Sequence, residues 1–193
     1  MGDLKSLLKQ IGNAQASNGG NWIRDGRYIL VLDSMSIESK FAGDTFIAEL
    51  RVEESFDDPS ARAGAVYPAT AGEGAPIKAN PTGSTVSVVK PLAGNEIARK
   101  MAFSAVKAFV LALTEEEDFP DTDEVAAAEF VKNLETAIGK DQPLRGAAVK
   151  CETYRKWTKD HATLLTLPKW IPVVGQTTET MAAREKALSA APQ

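Results

Sequence analysis

The segment TFIAELRVE, residues 45–53, decides the fold class of this chain. Its apolar side chains stand at every second position, at Phe46, Ala48, Leu50 and Val52, and the positions between them are mostly polar or charged. Since successive side chains of a β-strand point to opposite faces, this spacing predicts a strand with one buried and one wet face. Strands of this kind are typical of antiparallel sheets.

Further strands and helices are predicted on both sides of this segment from runs of β-branched and aromatic residues and from apolar stripes at helical spacing. Asn95 is predicted to cap one central helix, and Asp121 is predicted to cap the next. The predicted strands are residues 27–35, 45–53, 84–89, 145–154 and 162–167, and the predicted helices are residues 3–11, 95–113, 121–138 and 179–189.

The order of the central elements is strand, strand, strand, helix, strand, strand, which is that of an OB-fold. We therefore expect a mainly β protein with helices (α+β), built as a five-stranded OB-like Greek-key barrel. A helical insertion separates strands 3 and 4, and short helices occupy both termini. The expected division is an N-terminal helix and linker (1–20), the OB-like domain (21–173) and a C-terminal helical tail (174–193).

The composition is that of an ordinary soluble globular protein. The chain has 193 residues, 44% of them hydrophobic, and a net charge of −4, so binding to nucleic acid requires a local patch. Cys151 is the only cysteine, which excludes an intrachain disulfide and suits a reducing cytoplasm. No apolar run approaches the roughly 20 residues of a membrane helix, and no secretion signal begins the chain, so no membrane partner is expected.

The segment KCETYRKWTKDHATLLTL, residues 150–167, is predicted to be the hairpin of the last two strands. Rings on which bases stack and cations that contact phosphates are what a surface needs to hold single-stranded nucleic acid. In an otherwise acidic chain, we therefore predict a local nucleic-acid-binding site at the turn of this hairpin. Its side chains are Tyr154, Arg155, Lys156, Trp157 and Lys159.

Two loops of an OB-fold lie at its ligand face, and they join strands 1 and 2 and strands 4 and 5. They are predicted at residues 36–44 and 154–161, so side chains from both are expected to converge. The alternative is that Tyr154 and Trp157 pack within the hairpin and that the cations are only solvated. The further side chains expected at the face are Lys40, Phe41, Trp22, Arg24 and Arg27.

Charge is segregated along the chain. Residues 114–135 hold nine acidic residues and one lysine, whereas residues 140–169 hold seven basic and three acidic residues. The acidic run is interpreted in three ways: a decoy that competes with DNA or recruits basic partners, a contact between subunits, or solvated carboxylates near a helix N-terminus, where the helix dipole favours them.

No catalytic or metal-binding motif is recognisable. A structural zinc site needs four ligands, and the chain has one histidine, His161, and one cysteine. Cys151 shares the inward parity of Ala147 and Val149, so it is expected to be an inert core residue. The glycines of the long loop at residues 56–83 lack phosphate-loop spacing. We therefore expect no enzymatic activity, no metal and no cofactor.

Four segments in this order resemble a bacteriophage family of OB-fold, single-stranded-DNA-binding proteins. They are GNWIRDGRYILVLDS, AGDTFIAELRVEES, NPTGSTVSVV with the helix MAFSAVKAFVLAL, and RGAAVKCETYRKWTK ending in LPKWIPV. The resemblance covers residues 21–173 and implies binding of single strands during phage replication or recombination, through residues 154–157 with Lys40 and Phe41 opposite. Such proteins commonly end in an acidic tail, whereas this chain ends in EKALSAAPQ.

A structural accessory protein of a phage particle, in the capsid or the tail, is the second function class. The terminal helices, the long loop and the segregated charge suit an assembly subunit. Leu4, Leu7, Leu8 and Ile11 form one face of the predicted N-terminal helix, which docks either on a neighbouring subunit or on its own domain. The expected partners are single-stranded DNA, further copies of the chain, and replication, recombination or virion proteins. The expected location is the cytoplasm of an infected bacterium or, alternatively, the virion.

Overall fold

The computed structural model describes residues 22–40, 43–56, 79–120, 122–157 and 164–190, which form five strands and three helices. The strands are β1 (Arg27–Lys40), β2 (Gly43–Ser55), β3 (Thr85–Pro91), β4 (Ala148–Trp157) and β5 (Leu164–Pro172). The helices are α1 (Glu96–Thr114), α2 (Glu124–Ala137) and α3 (Thr178–Ala190). The α+β class is therefore confirmed.

The strands form one antiparallel sheet in the order β3-β2-β1-β4-β5. The central strand β1 pairs with β2 along almost its whole length, from Tyr28 opposite Ser55 to Lys40 opposite Gly43. β4 pairs only with the first part of β1, beginning at Arg27, which lies opposite Glu152. The remaining part of β4 therefore extends beyond β1 and, among the described strands, pairs only with β5.

The alternating pattern of β2 produces the buried face that it predicts. Phe46, Ala48, Leu50 and Val52 are each at most 1% exposed. Together with inward side chains of β1, β3 and β4, they form the main core of the protein. Because one face of the sheet carries this apolar set, a helix must cover it.

Helix α1 covers the apolar face, and it begins where predicted. The Asn95 side chain accepts a hydrogen bond from the backbone N–H of Ala98 at 2.9 Å, as expected of an N-cap. The ring of Phe109 meets those of Phe46 and Trp170 edge to face, with centroids 6.1 and 4.8 Å apart. Since Phe46 belongs to β2 and Trp170 to β5, α1 connects the two halves of the sheet.

The predicted closure of the sheet into a barrel is not confirmed. β3 and β5 are the two edges of the sheet, and the described parts of these strands do not pair with each other. Pro168 and Pro172 of β5 have no backbone N–H to donate to a neighbouring strand, which is why proline in sheets is found at edges. The structure is an open five-stranded sheet, and α1 contacts both of its edge strands.

Strands β1, β4 and β5 end later in the sequence than predicted. Residues 154–157 lie in β4 and pair with residues 164–167 of β5, whereas the prediction placed residues 154–161 in the connecting loop. β5 continues to Pro172 instead of ending at residue 167, and β1 continues to Lys40 through most of the predicted 36–44 loop. Cross-strand pairing determines these ends, and the pattern of a single strand does not reveal its partner.

The N-cap of α2 is Asp123, two residues after the predicted cap, and its side chain accepts a hydrogen bond from the N–H of Ala126 at 3.0 Å. None of the described helices is long and apolar enough to cross a membrane. Several predicted features lie outside the described residues: the N-terminal helix at residues 3–11, Phe41, most of the loop at residues 56–83, Asp121, Lys159 and His161.

Helix α3 packs on the sheet of its own chain. Gly146 has a φ of +85°, and a Cβ atom at this position would lie 2.2 Å from the backbone carbonyl oxygen of Met181. Arg184 donates to a carboxylate oxygen of Glu53 at 3.1 Å. The C-terminal helix is thus attached to β2 and to the segment before β4, within one copy of the chain.

Candidate nucleic-acid interface

A groove opens between β3 and the middle of the β4–β5 hairpin, at Thr153 and Pro168. In a closed barrel, β3 would pair with β5 at this place. The groove has a volume of about 380 Å³, and we call it the β3–β5 groove. Its walls come from three parts of the chain: the segment before β1, the middle of β3, and the adjoining residues of β4 and β5. The lining residues are Trp22, Ile23, Arg24, Asp25, Ser87, Val88, Val89, Lys90, Thr153 and Pro168.

The side chains available to a ligand in this groove are aromatic and cationic. Trp22 is 62% exposed, and its backbone forms an isolated bridge to Ser87 of β3. Arg24 is exposed and Lys90 is half-buried. Among the described lining residues, the one carboxylate is that of Asp25, a residue only 5% exposed. The groove therefore presents one large ring and two cations, which is the chemistry that a base and its phosphates require.

Asn80 holds the backbone that carries Trp22 and Arg24. Its side-chain oxygen accepts a hydrogen bond from the N–H of Arg24 at 2.7 Å, and its side-chain nitrogen donates to the carbonyl of Trp22 at 3.2 Å. Asn80 is itself 7% exposed. Both bonds are partly buried, and together they restrict the position of this segment on the sheet.

Tyr28 connects this arrangement to the core. Its hydroxyl accepts a hydrogen bond from the N–H of Asn80 at 3.1 Å and lies 3.0 and 3.1 Å from the carbonyl oxygens of Arg24 and Asp25, to which it donates. The ring lies directly over Gly26, where a Cβ atom would be 2.3 Å from the hydroxyl oxygen. Only glycine allows the ring to pack there.

Thr153 attaches the hairpin to the same segment. Its hydroxyl accepts a hydrogen bond from the N–H of Gly26 at 2.7 Å, and its own N–H donates to the Gly26 carbonyl at 3.0 Å. The hairpin and the Trp22–Asp25 segment are therefore joined at the wall of the groove. Sequence reasoning did not identify Asn80, Thr153 or Lys90, because nothing in their local patterns marks them as neighbours of Trp22.

Beyond Thr153 the hairpin forms a two-stranded extension of the sheet. Residues 153–157 pair with residues 164–168 in five residue pairs, all past the last partner in β1, and we call this part the β4–β5 arm. The backbones of Tyr154, Arg155, Lys156 and Trp157 lie in the arm. Their side chains are outside the described residues, so their predicted role stays a prediction.

The sheet does not bring Lys40 to the arm. Lys40 lies opposite Gly43 at the last position of the 14-residue strand β1, whereas Arg27, at the first position, lies opposite Glu152 beside the arm. Of the side chains expected to converge, the structure thus places Trp22 and Arg24 in one groove and the exposed Arg27 at the same end of β1. The backbone of Lys40 is at the opposite end.

The Cys151 thiol is not arranged for catalysis. Cys151 is fully buried, and desolvation, with a smaller contribution from the negative charge of Glu152, raises its pKa to about 12. The thiol is therefore protonated at neutral pH and is a poor nucleophile. The expectation that Cys151 belongs to the core is confirmed, and no metal-binding cluster of His, Cys, Asp or Glu exists within the part of the chain that the structure describes.

Several carboxylates of the acidic segment have structural contacts. Glu115 accepts hydrogen bonds from the N–H groups of Gly175 and Gln176, each at 2.8 Å. Asp118 forms an ion pair with Lys107 at 2.8 Å, and the hydrogen bond from Lys107 lowers the pKa of Asp118. The N-cap at Asp123 agrees with the interpretation that these carboxylates lie near a helix N-terminus, whereas the contacts of Glu115 and Asp118 within the fold were not predicted.

The chain matches no known protein-family model. No curated protein matches it in sequence. The geometry and chemistry of the groove are therefore the basis for assigning a function.

Proposed function

We propose that this protein is a non-enzymatic, sequence-tolerant single-stranded-DNA-binding protein of the phage type. The observation that carries the proposal is the exposed indole of Trp22 in an open groove that also contains Arg24 and Lys90. A strand bound there continues along the β4–β5 arm, which begins at Thr153 in the same groove and carries the basic and aromatic residues 154–157.

The chemistry of the groove favours single strands over duplexes. A Trp ring stacks on the face of a base, and that face is accessible only when the base is unstacked. Stacking contributes about 1–3 kcal/mol per base. Each phosphate that Arg24 or Lys90 contacts releases counterions, so binding weakens as the salt concentration rises.

The order of the strands supports the proposal as well. A three-stranded meander followed by a hairpin that returns to β1 is consistent with an OB-like Greek-key arrangement opened between β3 and β5, and OB-folds are partly open barrels that bind oligonucleotides. On this proposal the protein acts in phage DNA replication or recombination within the cytoplasm of the infected bacterium. Its partners are single-stranded DNA and further copies of itself.

Fluorescence anisotropy with a labelled oligothymidine, at low and moderate salt, tests the proposal. Trp22→Ala is expected to weaken binding by about fivefold or more, because one stacked base is lost. Trp22→Phe retains a ring and most of the affinity, and Lys186→Ala, on the exposed surface of α3, leaves binding nearly unchanged. Absence of binding at low salt, or equal affinity of Trp22→Ala and the wild type, would contradict the proposal.

The second candidate function is a structural accessory role in the phage particle. Exposed apolar side chains on the two helices between β3 and β4 favour it, since such residues serve protein contacts: Ile97 and Met101 on α1, and Val125 and Val131 on α2. Mass spectrometry of purified particles separates the two roles. A stoichiometric copy number in the particle supports the accessory role, and absence from the particle excludes it.

A further inference from the structure

A second and larger groove lies beside β5, between α1 and α2. It has a volume of about 870 Å³, and we call it the α1 groove. Phe103 of α1 is 54% exposed there, and Phe130 of α2, Trp170 and Pro172 of β5 contribute the other large apolar surfaces. The cations of Arg99 and Lys100 lie on the same helix as Phe103, one turn earlier.

The two grooves follow one another along a single strand. Pro168 lines the β3–β5 groove, and Trp170 and Pro172 line the α1 groove. Alternate residues of a strand face the same side, so these three side chains form one row. At about 3.3 Å per residue, the row extends over roughly 13 Å, a distance that a few nucleotides of an extended strand cover. The α1 groove is therefore the next surface that a strand leaving the β3–β5 groove along β5 would meet.

The charges of the α1 groove determine how strongly it can attract a nucleic-acid strand. Lys107 is held by Asp118 at 2.8 Å and lies 3.7 Å from the centre of the Phe119 ring. The other charged groups that the described residues contribute to the lining are Arg99 and Lys100, together with the carboxylates of Glu96 and Glu116. These four charges cancel, so the α1 groove attracts a polyanion only weakly and adds affinity for a strand that is already held nearby.

We propose that a single strand bound in the β3–β5 groove continues along β5 into the α1 groove, where Phe103 stacks on a base and Arg99 and Lys100 contact phosphates. This inference rests on the proposed function and defines the path of the strand. It predicts that the α1 groove contributes to the binding of long oligonucleotides and not to that of short ones.

Oligothymidines of two lengths test the path, one of about 4 nucleotides and one of about 16, which bracket the site sizes of single OB-folds. Phe103→Ala is expected to weaken binding of the long oligonucleotide by about fivefold or more, with little change for the short one. Phe103→Tyr, which keeps a ring, restores the affinity. Glu96→Gln removes a repelling carboxylate and is expected to strengthen binding of the long oligonucleotide.

The double variant Arg99→Ala/Lys100→Ala is expected to reduce the salt dependence of long-oligonucleotide binding by about 0.7 in the log–log slope for each lost phosphate contact. Lys150→Ala/Lys186→Ala, which removes two cations at exposed positions on β4 and α3, is the matched control and leaves binding of the long oligonucleotide nearly unchanged. Circular dichroism verifies that each variant is folded.

The outcomes separate this inference from the proposed function. If the short oligonucleotide binds in a Trp22-dependent manner and all α1 variants bind the long one like the wild type, the path is wrong and the proposed function stands. If the α1 variants change the oligomeric mass in sedimentation while DNA binding is unaltered, the groove belongs to a protein partner and the path is overturned. If the wild type binds neither oligonucleotide, both proposals fail.

Discussion

The hydroxyl of Tyr28 accepts a hydrogen bond from the backbone N–H of Asn80 at 3.1 Å, across 52 residues of sequence. Through this bond the core strand β1 determines where Asn80 lies, and Asn80 in turn holds the backbone of Trp22 and Arg24. The backbone that carries the exposed Trp22 ring is thus linked, through Asn80, to Tyr28. Tyr28 is one of the most buried side chains among the described residues, with an exposed fraction of only 1%. A ligand at Trp22 meets a surface whose backbone is already ordered, which lowers the entropic cost of binding.

The first prediction concerns Tyr28→Phe. The substitution keeps the ring and removes the acceptor for the Asn80 N–H, so a buried donor loses its partner. We expect the free energy of unfolding to fall by about 1–3 kcal/mol, measured by urea denaturation. Ser189→Ala is the control, because Ser189 donates a comparable hydroxyl bond to Glu185 at an exposed position. Equal stability of the two variants would show that the Tyr28 bond is dispensable.

The second prediction concerns the packing of α3. Gly146 and Gly83 have nearly the same left-handed backbone, with φ values of +85° and +84°. A Cβ atom at Gly146 would meet Met181 of α3, whereas one at Gly83 meets no atom of the described residues within 4 Å. Alanine strains the backbone at both positions, and only at Gly146 does it also collide with α3.

Gly146→Ala is therefore expected to lose more stability than Gly83→Ala, by about 1–3 kcal/mol, as for other overpacked sites. Urea denaturation of both variants measures the difference, and faster amide hydrogen exchange in α3 identifies its cause. Equal losses would mean that α3 moves away from the sheet at no cost.

The third prediction concerns Cys151 at alkaline pH. Burial raises the pKa of its thiol from 9.0 to about 12, so the folded protein retains the proton that the unfolded chain releases. Between about pH 9 and pH 12 the unfolded state binds fewer protons than the folded state, and stability falls as the pH rises through this window. Well below pH 9 the thiol is protonated in both states and has no effect on the pH dependence.

Urea denaturation at pH 8 and pH 10.5 measures this loss of stability. Cys151→Ala removes the titrating group, so the variant is expected to lose less stability between these two pH values than the wild type does. A thiol-specific reagent at pH 8 is expected to label the native protein only through unfolding. Rapid labelling of the folded protein would contradict the buried position of the thiol.

The sequence predicts the individual strands and helices well, but it predicts the contacts between them poorly. The alternation in β2 and the Asn95 cap are local patterns, and both predict the structure correctly because burial and capping act on neighbouring residues. The sheet is open between β3 and β5, and α1 contacts both of these edge strands. These contacts involve distant parts of the chain, and the element order alone implied closure.

At the candidate site, too, local features were predictable and contacts between distant residues were not. The composition of the segment before β1 indicated Trp22 and Arg24, but their attachment to Asn80, and that of Gly26 to Thr153, depends on the three-dimensional fold. The backbone of Lys40 is far from the hairpin for a topological reason. Lys40 is the last residue of β1, whereas the β4–β5 arm lies past the first residue of β1.

The distance along β1 between Lys40 and the β4–β5 arm allows a further prediction. Lys40 and Lys156 carry the same charge, but the backbone of Lys156 lies in the β4–β5 arm and that of Lys40 at the far end of β1. On the proposed function, in which the bound strand also runs along the β4–β5 arm, Lys156→Ala is expected to weaken binding of a 16-nucleotide oligothymidine, roughly the largest site size of a single OB-fold, and to lower its log–log salt slope by about 0.7. Lys40→Ala, with the same change in net charge, is expected to leave both quantities unchanged. Anisotropy titrations over a range of salt concentrations measure both. A larger effect of Lys40→Ala than of Lys156→Ala would place the strand at the β1–β2 turn instead, because net charge is the same in the two variants and only position differs.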